Sequence, residues 1–306
     1  MNKSFKGMRK EYAVILSVIV VICFAFRTLQ ERFSRAEVDT NVNDNVISLS
    51  EEHISVHFID VGQGDSTLIE TEDGKFVLID AGTNDCELDF LSYLDEHKVE
   101  YIEYMFLTHQ HEDHIGSADA VLDSYYVKNV VKTDIDDDCV NCDNLEKSLS
   151  DSIKHIDTKV YYPKNGDVYS VDDIDFTVLS DGTAYDDLND TSICIRMDYG
   201  KSTFVFTGDA RQNVEYDILK SGMDVSAEVY KCGHHGSSTS NSNRFLDEIN
   251  PDIAIISCAE GNEYGHPHTE VMDSLDERNV EVYRTDISGD IVFSCTKNKI
   301  SLMSQP

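Results

Sequence analysis

The strongest constraint on the fold of this chain is a run of four side chains that commonly bind metals, placed within six consecutive positions. They are His109, His111, Asp113 and His114. The run follows an apolar segment, residues 101–107, which predicts a strand that leads into a loop. Such a loop can turn all four side chains toward one point, and zinc, manganese and iron accept imidazole nitrogen and carboxylate oxygen as ligands. The spacing therefore predicts a metal site and disfavours an ordinary polar loop.

Strand-like and helix-like segments alternate along most of the chain. The predicted strands are 54–60, 66–71, 75–80, 103–108, 127–133, 159–162, 174–180, 192–199, 202–207, 227–231, 253–257, 281–285, 290–295 and 299–303. The predicted helices are 88–98, 115–124, 144–154, 212–221, 243–250 and 269–278. Hairpins with a glycine turn, at Gly74 and Gly200, recur in both halves. This periodicity on its own indicates an α/β or an α+β fold.

Further short motifs surround the histidine run in a fixed order. They are Phe58-Ile-Asp-Val-Gly-Gln-Gly-Asp-Ser66, Leu78-Ile-Asp80-Ala-Gly82, Thr207-Gly-Asp209, His234-His235-Gly236-Ser237 and Tyr264-Gly-His-Pro267. Through these motifs the chain resembles the metallo-β-lactamase superfamily and, within it, the hydrolase domain of ComEC-type competence proteins. The resemblance implies an α+β fold, a four-layer αββα sandwich, and a hydrolase with one or two divalent ions.

The predicted metal ligands are His109, His111, Asp113, His114, Asp209 and His234. The first two alternate along the chain and can contact one ion, whereas the next two are placed for a second. The resemblance implies that Asp209 bridges both ions and that His234 is the last ligand, with His235 as the alternate. Asp80 is predicted to brace the histidine loop by hydrogen bonds. A turn residue or a helix cap is the alternative interpretation of both aspartates.

One ligand that the resemblance leads us to expect is missing. The family often has a further histidine between the first cluster and Asp209, and in this interval the chain has only His155, in a helix-like stretch. The segment 189–192 occupies the corresponding position, where an amide oxygen or a water could substitute. The number of ions, one or two, therefore stays open. Oxygen-rich ligation favours manganese over zinc in at least one position.

The predicted chemistry follows from the ions. A hydroxide held by divalent cations is a nucleophile near neutral pH, and the same cations polarise the bond under attack. Phosphodiesters suit this arrangement, because the cations offset charge on the non-bridging oxygens. A metal-dependent phosphodiesterase is therefore the predicted activity. The alternatives are hydrolysis of a lactam, lactone or thioester, and a non-catalytic binding module that retains a metal.

The sequence also indicates which side chains would act in this reaction. The predicted catalytic residues are Asp113, Asp209, His235 and His266. The predicted substrate-binding residues are Gln63, Asp65, Ser66, Asn189, Ser237 and, again, His266. Gln63 to Ser66 follow a glycine-rich turn that can approach a substrate, although this turn alone is a weak phosphate-binding signal.

The N-terminal part carries a different pattern. Four basic residues within the first ten positions precede an apolar run over residues 12–26. This order is typical of a signal peptide or a short membrane anchor. Residues 1–35 are predicted to be an uncleaved, single-pass anchor in the cell membrane with the enzyme outside the cytoplasm; cleavage would give a secreted protein, and a buried core helix is the alternative. Residues 36–52 predict a polar tether, and residues 53–306 the hydrolase domain.

The chain is strongly acidic, with 58 Asp and Glu against 25 Lys and Arg and a formal net charge of −33. Residues 1–35 hold seven of the basic residues and two of the acidic ones, so the remainder is more acidic still. Such a surface repels long polyanions and disfavours nucleic acid as a partner. A small phosphodiester, or one in an envelope polymer, is at least as plausible a substrate.

The eight cysteines do not suggest a disulfide framework. One lies in the predicted anchor, which leaves an odd number outside it. Cys139 and Cys142 are interpreted as a local disulfide or free thiols, ahead of a minor metal site. Four other cysteines lie in apolar, strand-like segments and are predicted to be buried thiols: Cys194, Cys232, Cys258 and Cys295.

Overall fold

Two β-sheets packed face to face, with helices on both outer surfaces, form the part of the chain that the structure describes. The structure is a computed structural model and describes residues 52–133, 143–154, 157–183 and 185–303. The first sheet contains β1 (His53–Phe58), β2 (Thr67–Glu70), β3 (Phe76–Ile79), β4 (Tyr101–Phe106), β5 (Tyr126–Val131), β6 (Lys159–Tyr161), β14 (Ile291–Thr296) and β15 (Lys299–Leu302). Its strand order is β15-β14-β1-β2-β3-β4-β5-β6.

The second sheet is built from the middle of the chain. It contains β7 (Val168–Val171), β8 (Ile174–Ser180), β9 (Cys194–Tyr199), β10 (Ser202–Phe206), β11 (Val229–Lys231), β12 (Ile253–Ile256) and β13 (Glu281–Arg284), in the order β13-β12-β11-β10-β9-β8-β7. The described α-helices are α1 (Glu87–Glu96), α2 (Glu112–Ile115), α3 (Ala118–Ser124), α4 (Asp143–Lys154), α5 (Gln212–Ser221), α6 (Asn243–Ile249), α7 (Thr269–Glu277) and α8 (Thr285–Ser288). Short 3-10 turns cover Asn84–Cys86, Asn189–Thr191 and Gly233–Gly236.

In both sheets the strand pairing changes from antiparallel to parallel, and each sheet ends in three parallel pairs. In the first sheet β1, β2 and β3 pair antiparallel, and β3 to β6 pair parallel. In the second sheet β7 to β10 pair antiparallel, and β10 to β13 pair parallel. Parallel strands end at one edge of a sheet, so the loops that follow them lie together.

Alternation of side chains along the strands separates an inner core from two outer ones. Val56 and Phe58 of β1 point between the sheets, where they join residues such as Phe204 of β10 in one cluster. Leu68 of β2 and Phe90 of α1 belong to a second cluster on the outer face of the first sheet. A third cluster lies under α5, α6 and α7 on the outer face of the second sheet. The layers are therefore helix, sheet, sheet and helix, which confirms the predicted α+β sandwich.

The helix ends follow from local residue chemistry. Acidic residues lie in the first turn of α1, where their negative charge interacts favourably with the positive end of the helix dipole. The Ser242 hydroxyl accepts a hydrogen bond from the Phe245 amide and caps α6. α5 ends at Gly222, which has a φ of 77° that glycine adopts at little cost.

Some predictions concern residues that are not described. The anchor (1–35), most of the tether (36–52) and the pair Cys139 and Cys142 lie outside the described residues, so these predictions stay as they were. Within the described residues, no helix combines the length and the hydropathy of a membrane-spanning segment. The four cysteines predicted to be buried thiols are all buried and free, which confirms that prediction.

Candidate metal centre

A cleft of about 610 Å³ lies where loops after the parallel strands of the two sheets meet. The predicted site residues that line it are Gln63, His111, Asp113, Asn189, Asp209, His234, His235 and His266. His109 and His114 are buried beneath it, with 1% and 0% of their surfaces exposed. Residues far apart in sequence converge here because their strands end at the same edge of the sandwich.

Asp80 connects two parts of the histidine loop. It follows β3, is buried, and adopts a φ of 60°. Its carboxylate accepts hydrogen bonds from the amide and the hydroxyl of Thr108, at 2.8 and 2.7 Å. The same carboxylate lies 2.8 Å from Nδ1 of His114, which leaves Nε2 of that ring pointing at Asp209. Asp80 thus fixes both the start of the loop and the orientation of one imidazole.

The first group of donors faces one oxygen of Asp209. Nε2 of His109 lies 3.0 Å from Nδ1 of His111 and 3.8 Å from Oδ2 of Asp209. Nε2 of His234 approaches the same Oδ2 at 3.6 Å. We call His109, His111 and Oδ2 of Asp209 the first cluster.

The second group faces the other oxygen. Nε2 of His114 lies 3.1 Å, and Nε2 of His235 lies 3.6 Å, from Oδ1 of Asp209. Nε2 of His235 is also 3.3 Å from the carboxylate of Asp113. We call Asp113, His114, His235 and Oδ1 of Asp209 the second cluster; one donor atom from each lies within 4.8 Å of all the others. The two oxygens of Asp209 therefore face different clusters.

The structure favours His235, the predicted alternate, over His234 as the last ligand of the second cluster. The prediction gave the last ligand of the second cluster to His234, but the ring that joins this cluster is that of His235. Both residues have left-handed backbone, with φ of 51° and 53°, in the 3-10 turn after β11. The alternation of side chains in a strand no longer applies in such a turn, so spacing alone could not assign the two rings.

Three buried atoms of the second cluster test whether a cation fits. Nε2 of His114, Oδ1 of Asp209 and Nε2 of His235 have no hydrogen-bond partner within the described part of the chain. Unpaired buried donors and acceptors cost free energy, and a divalent cation would engage all three. Imidazole nitrogens with carboxylate oxygens are a donor set for zinc or manganese. The residues present therefore fit a divalent ion.

The charges of the cluster agree with this fit. Burial lowers the pKa of His114, but the carboxylates of Asp209 and Asp80 reverse this and hold it well above its usual value. Burial raises the pKa of Asp209, and the adjacent His114 and His235 outweigh this and hold it well below its usual value. The surroundings therefore favour positive charge at the position where these side chains meet.

Asp65 contacts His235 inside the protein and does not line the cleft, although the sequence analysis predicted that it binds substrate. It is buried, and Nζ of Lys231 lies 2.8 Å from its carboxylate. Nδ1 of His235 lies 3.3 Å from the same carboxylate and 3.0 Å from the carbonyl of Ser257. Burial raises the pKa of Asp65, but Lys231 and His235 outweigh this and hold it below its usual value. The loop is held at this point by the amide of Asp65, which donates to the carbonyl of Asp113 at 3.0 Å.

Two other predicted substrate-binding residues also lie away from the cleft lining. The Ser66 hydroxyl is buried and donates to the carbonyl of Asp80 at 3.1 Å. The Ser237 hydroxyl is buried and lies 3.0 Å from that of Thr239. Both hydroxyls are held by short-range contacts that orient loops, so they are not directed at the space above the clusters.

The remaining predicted residues do face that space. Asn189 lines the cleft, and its Oδ1 is buried without a hydrogen-bond partner among the residues described here. Gln63 approaches Nδ1 of His266 at 3.5 Å through its amide nitrogen. Burial and the neighbouring His235 and His234 lower the pKa of His266 to about 4, so its imidazole is neutral at neutral pH.

Sequence reasoning missed several residues of the site. Lys231 is the clearest case, because a lysine at the end of an apolar strand reads as a surface residue unless its partner, 166 positions away, is known. The cleft is also lined by Thr83, Glu112, Ala259, Asn262, Glu263 and Tyr264. The two glutamates make its rim acidic.

Comparisons with known sequences agree with the geometry. A family model described as the metallo-beta-lactamase superfamily matches residues 59–260. ComE operon protein 3 of Bacillus subtilis (strain 168) is 29% identical over 267 residues, which cover 81% of this chain and 34% of that protein. Recombination protein 2 of Haemophilus influenzae is 28% identical over 260 residues, or 83% of this chain and 30% of that protein. The chain thus spans about a third of the curated relatives it matches.

Comparisons with solved structures address the fold alone. The metallo-beta-lactamase fold protein YhfI from Bacillus subtilis matches with a TM-score of 0.53 and 16% identity, over 80% of this chain and 100% of that chain. CmlA, a diiron beta-hydroxylase from Streptomyces venezuelae, also has a TM-score of 0.53, with 12% identity, over 80% of this chain and 54% of that chain. The predicted resemblance is confirmed, since the chain belongs to the metallo-β-lactamase superfamily and is related to competence proteins of the ComEC type.

Proposed function

We propose that this chain is a metal-dependent hydrolase of phosphodiester bonds. The observation that carries the proposal is the arrangement of Asp209, whose two oxygens face two different groups of imidazole and carboxylate donors at the floor of a cleft. A bridging carboxylate between two donor sets is suited to a pair of divalent ions. Such ions supply Lewis-acid polarisation of the scissile bond and acidify water, which is the chemistry that hydrolysis of a diester needs.

Each cluster would hold one ion. Asp113, His114 and His235 would hold one of them together with Oδ1 of Asp209. His109 and His111 would hold the other together with Oδ2. His155, the one histidine in the interval where the family pattern leads one to expect a ligand, lies outside the described residues. Two described side chains can take the position: Asn189 through its buried amide oxygen, and His234 through Nε2, which is 3.6 Å from Oδ2.

The residues above the clusters would position the substrate. His266 lines the cleft as a neutral imidazole and can donate one N–H to a phosphate oxygen. Because its pKa is about 4, it is a poor proton source for a leaving group at neutral pH. We therefore assign His266 to substrate orientation, with Gln63 beside it, instead of the acid role suggested by the sequence.

Charge narrows the class of diester. The net charge of −33 and the glutamates on the cleft rim oppose the approach of a long polyanion. The names of the relatives refer to competence and recombination, which points to nucleic acid in those proteins. We give more weight to the charge of this chain and propose a small diester, or one in an envelope polymer, as the substrate. In this proposal residues 1–35 hold the enzyme at the outer side of the cell membrane.

The test is hydrolysis of bis(p-nitrophenyl) phosphate by the purified full chain with added manganese or zinc. Asp209→Asn keeps the shape of the side chain and removes the charge that both clusters share. We expect chelator-sensitive turnover that this variant lacks. Asp123→Asn, at an exposed carboxylate of α3, is the matched control and should retain full turnover.

Other outcomes would redirect the assignment. Turnover that survives either the chelator or Asp209→Asn would overturn the metal-dependent mechanism. Turnover of a lactam, lactone or thioester without any diester hydrolysis would identify acyl chemistry. Bound metal without turnover of either class would identify a binding module. Rapid cutting and strong, salt-sensitive binding of single-stranded DNA would contradict the proposed substrate class but not the phosphodiesterase.

A further inference from the structure

A second group of donor side chains lies outside the catalytic cleft, on the outer face of the first sheet. His57 of β1 pairs with Leu68 of β2, and Ser55 pairs with Glu70. Paired residues share a face of the sheet, and positions two apart share it as well, so His57 and Glu70 are diagonal neighbours. His97 reaches the same place from the residue that follows α1. None of the three lines the catalytic cleft.

The three side chains have the spacing of a metal site. One donor atom from each of His57, Glu70 and His97 lies within 4.8 Å of the other two. The rings of His57 and His97 meet edge to face, with centroids 4.6 Å apart. Zinc bonds of about 2.0–2.2 Å need donors somewhat closer together than this limit. Glu70 and His97 are only half-buried, so small rotations of these two side chains are sufficient.

The decisive observation is an unsatisfied atom on His57. This residue is 3% exposed, and Nε2 of its ring has no hydrogen-bond partner in the described ranges. Nδ1 is engaged, since it lies 2.8 Å from the hydroxyl of Tyr93. A buried histidine held through one nitrogen, with the other unpaired and further donor side chains beside the ring, is the usual arrangement of a metal-binding imidazole. Leaving Nε2 buried and unpaired would otherwise cost free energy.

The charge of the surroundings agrees with this interpretation. When Nδ1–H of the neutral ring donates to the hydroxyl of Tyr93, Nε2 carries a lone pair that a cation can bind. Burial is the main cause that raises the pKa of Tyr93, and the charges of Asp290 and Glu96 raise it further. Two more carboxylates therefore lie near the residue that contacts His57. The charge of Glu70 as a ligand and the charges of these two carboxylates therefore both favour a divalent cation at this position.

We propose that His57, Glu70 and His97 form a second metal site, for a zinc-class divalent ion, that is separate from the catalytic centre. Two imidazoles and one carboxylate are a known zinc donor set that leaves a fourth position for water. The ion would join the end of α1 to β1 and β2, so its role is to hold this helix on the sheet.

The test is the amount of zinc that the full chain retains after dialysis, measured by inductively coupled plasma mass spectrometry. His97→Ala and Glu70→Gln each remove one half-buried ligand and should each lower the bound zinc by one ion per chain. Zinc should also raise the Tm of the wild type more than that of either variant. His53→Ala removes an exposed histidine of the same strand and should change neither value.

The proposal would be overturned by equal zinc content in the wild type and both variants, or by an equal loss in His53→Ala, which would indicate adventitious surface binding. Circular dichroism of each variant separates lost ligation from lost folding, and Glu70→Gln, which is isosteric, is the variant of choice if His97→Ala unfolds. Hydrolysis of the diester should be unchanged in these variants. Their zinc content can be measured whether or not the chain proves to be a phosphodiesterase.

Discussion

Asp209 is the residue at which the two clusters meet, and the two histidines of one tight turn approach it from different sides. Nε2 of His234 lies 3.6 Å from Oδ2, and Nε2 of His235 lies 3.6 Å from Oδ1. Neighbouring residues can diverge in this way because both have left-handed backbone. A single change at either position should therefore affect a different ion.

This divergence predicts a pattern of manganese content in paired variants. His114→Ala and His235→Ala act on the same cluster, so their combination should lose no more bound manganese than either single change. His109→Ala combined with His235→Ala should lose both ions, because each variant acts on a different cluster. Elemental analysis after dialysis measures the content. If His234→Ala, instead of His235→Ala, behaved as the partner of His114→Ala, the structural assignment would be wrong.

A second prediction concerns the buried pair formed by Lys231 and Asp65. Lys231→Met leaves a carboxylate buried without its counter-ion, and removal of one partner of such a pair costs about 3–5 kcal/mol in the free energy of unfolding. Urea denaturation measures the change. Adding Asp65→Asn to Lys231→Met should restore much of the loss, since no unpaired charge remains. Lys297→Met is the control and should change little, because water screens the exposed pairs that Lys297 forms with Glu52 and Asp173.

At the scale of elements, the loops after the strands differ most from the expectation. The helix predicted over 115–124 is divided: α2 ends at Ile115 and α3 begins at Ala118, since Ser117 between them leaves the helical region with a φ of −93° and a ψ of 11°. The helices expected at 212–221 and 269–278 are found within one residue of their ends. β7 was missed, since it has only four residues, too few to show a strand period, although three of them are strand formers.

Gly208, the residue before Asp209, lies at a close contact between two of these loops, so a larger residue there should be destabilising. It has a φ of 49°, and a Cβ there would lie 2.8 Å from Oγ1 of Thr108 and 2.9 Å from Oγ of Ser192. Gly222 has a φ of 77° with nothing near, so Gly222→Ala carries only the backbone cost of about 1–2 kcal/mol. Gly208→Ala should lower the free energy of unfolding further and also weaken metal binding. Equal effects of the two variants in denaturation and dialysis would contradict the close packing.

At the scale of the whole molecule, the sandwich brings together two halves with the same order of pairing. Each sheet passes from antiparallel to parallel strands, and the ends of the parallel strands of both sheets contribute to one cleft. The donors of the catalytic centre come from the loops after β4, β10 and β11, and the loop after β3 holds Asp80 behind them, so the centre depends on the correct packing of both sheets.

The stability of the molecule should depend on pH through His57. The folded-state pKa of about 4 lies below the usual 6.5, so the unfolded state binds more protons between these values. The contribution of His57 to the free energy of unfolding is therefore complete above pH 6.5. It falls by about 3 kcal/mol as the pH is lowered to about 4. Urea denaturation in chelator between pH 7.5 and 4 measures it. His57→Gln should show a smaller loss over this range, and parallel curves for the two proteins would contradict the assignment.

The sequence by itself determined the donor types, the order of the motifs and the fold class. His109, His111, Asp113 and His114 are close in the chain, so local geometry is enough to place them near one point. The fold class follows from the alternation of strands and helices once the family resemblance is added. These properties are local, or are shared across the superfamily, and need no knowledge of contacts between distant residues.

Only the tertiary structure decided how distant side chains pair. It turned His235 instead of His234 toward Asp113, and it placed Asp65 against Lys231, 166 positions away. It also brought Glu70 and His97 beside the buried ring of His57. These contacts depend on left-handed turns, on strand register and on the packing of a helix against a sheet. They arise when the whole chain excludes water from its core, so no short segment contains them.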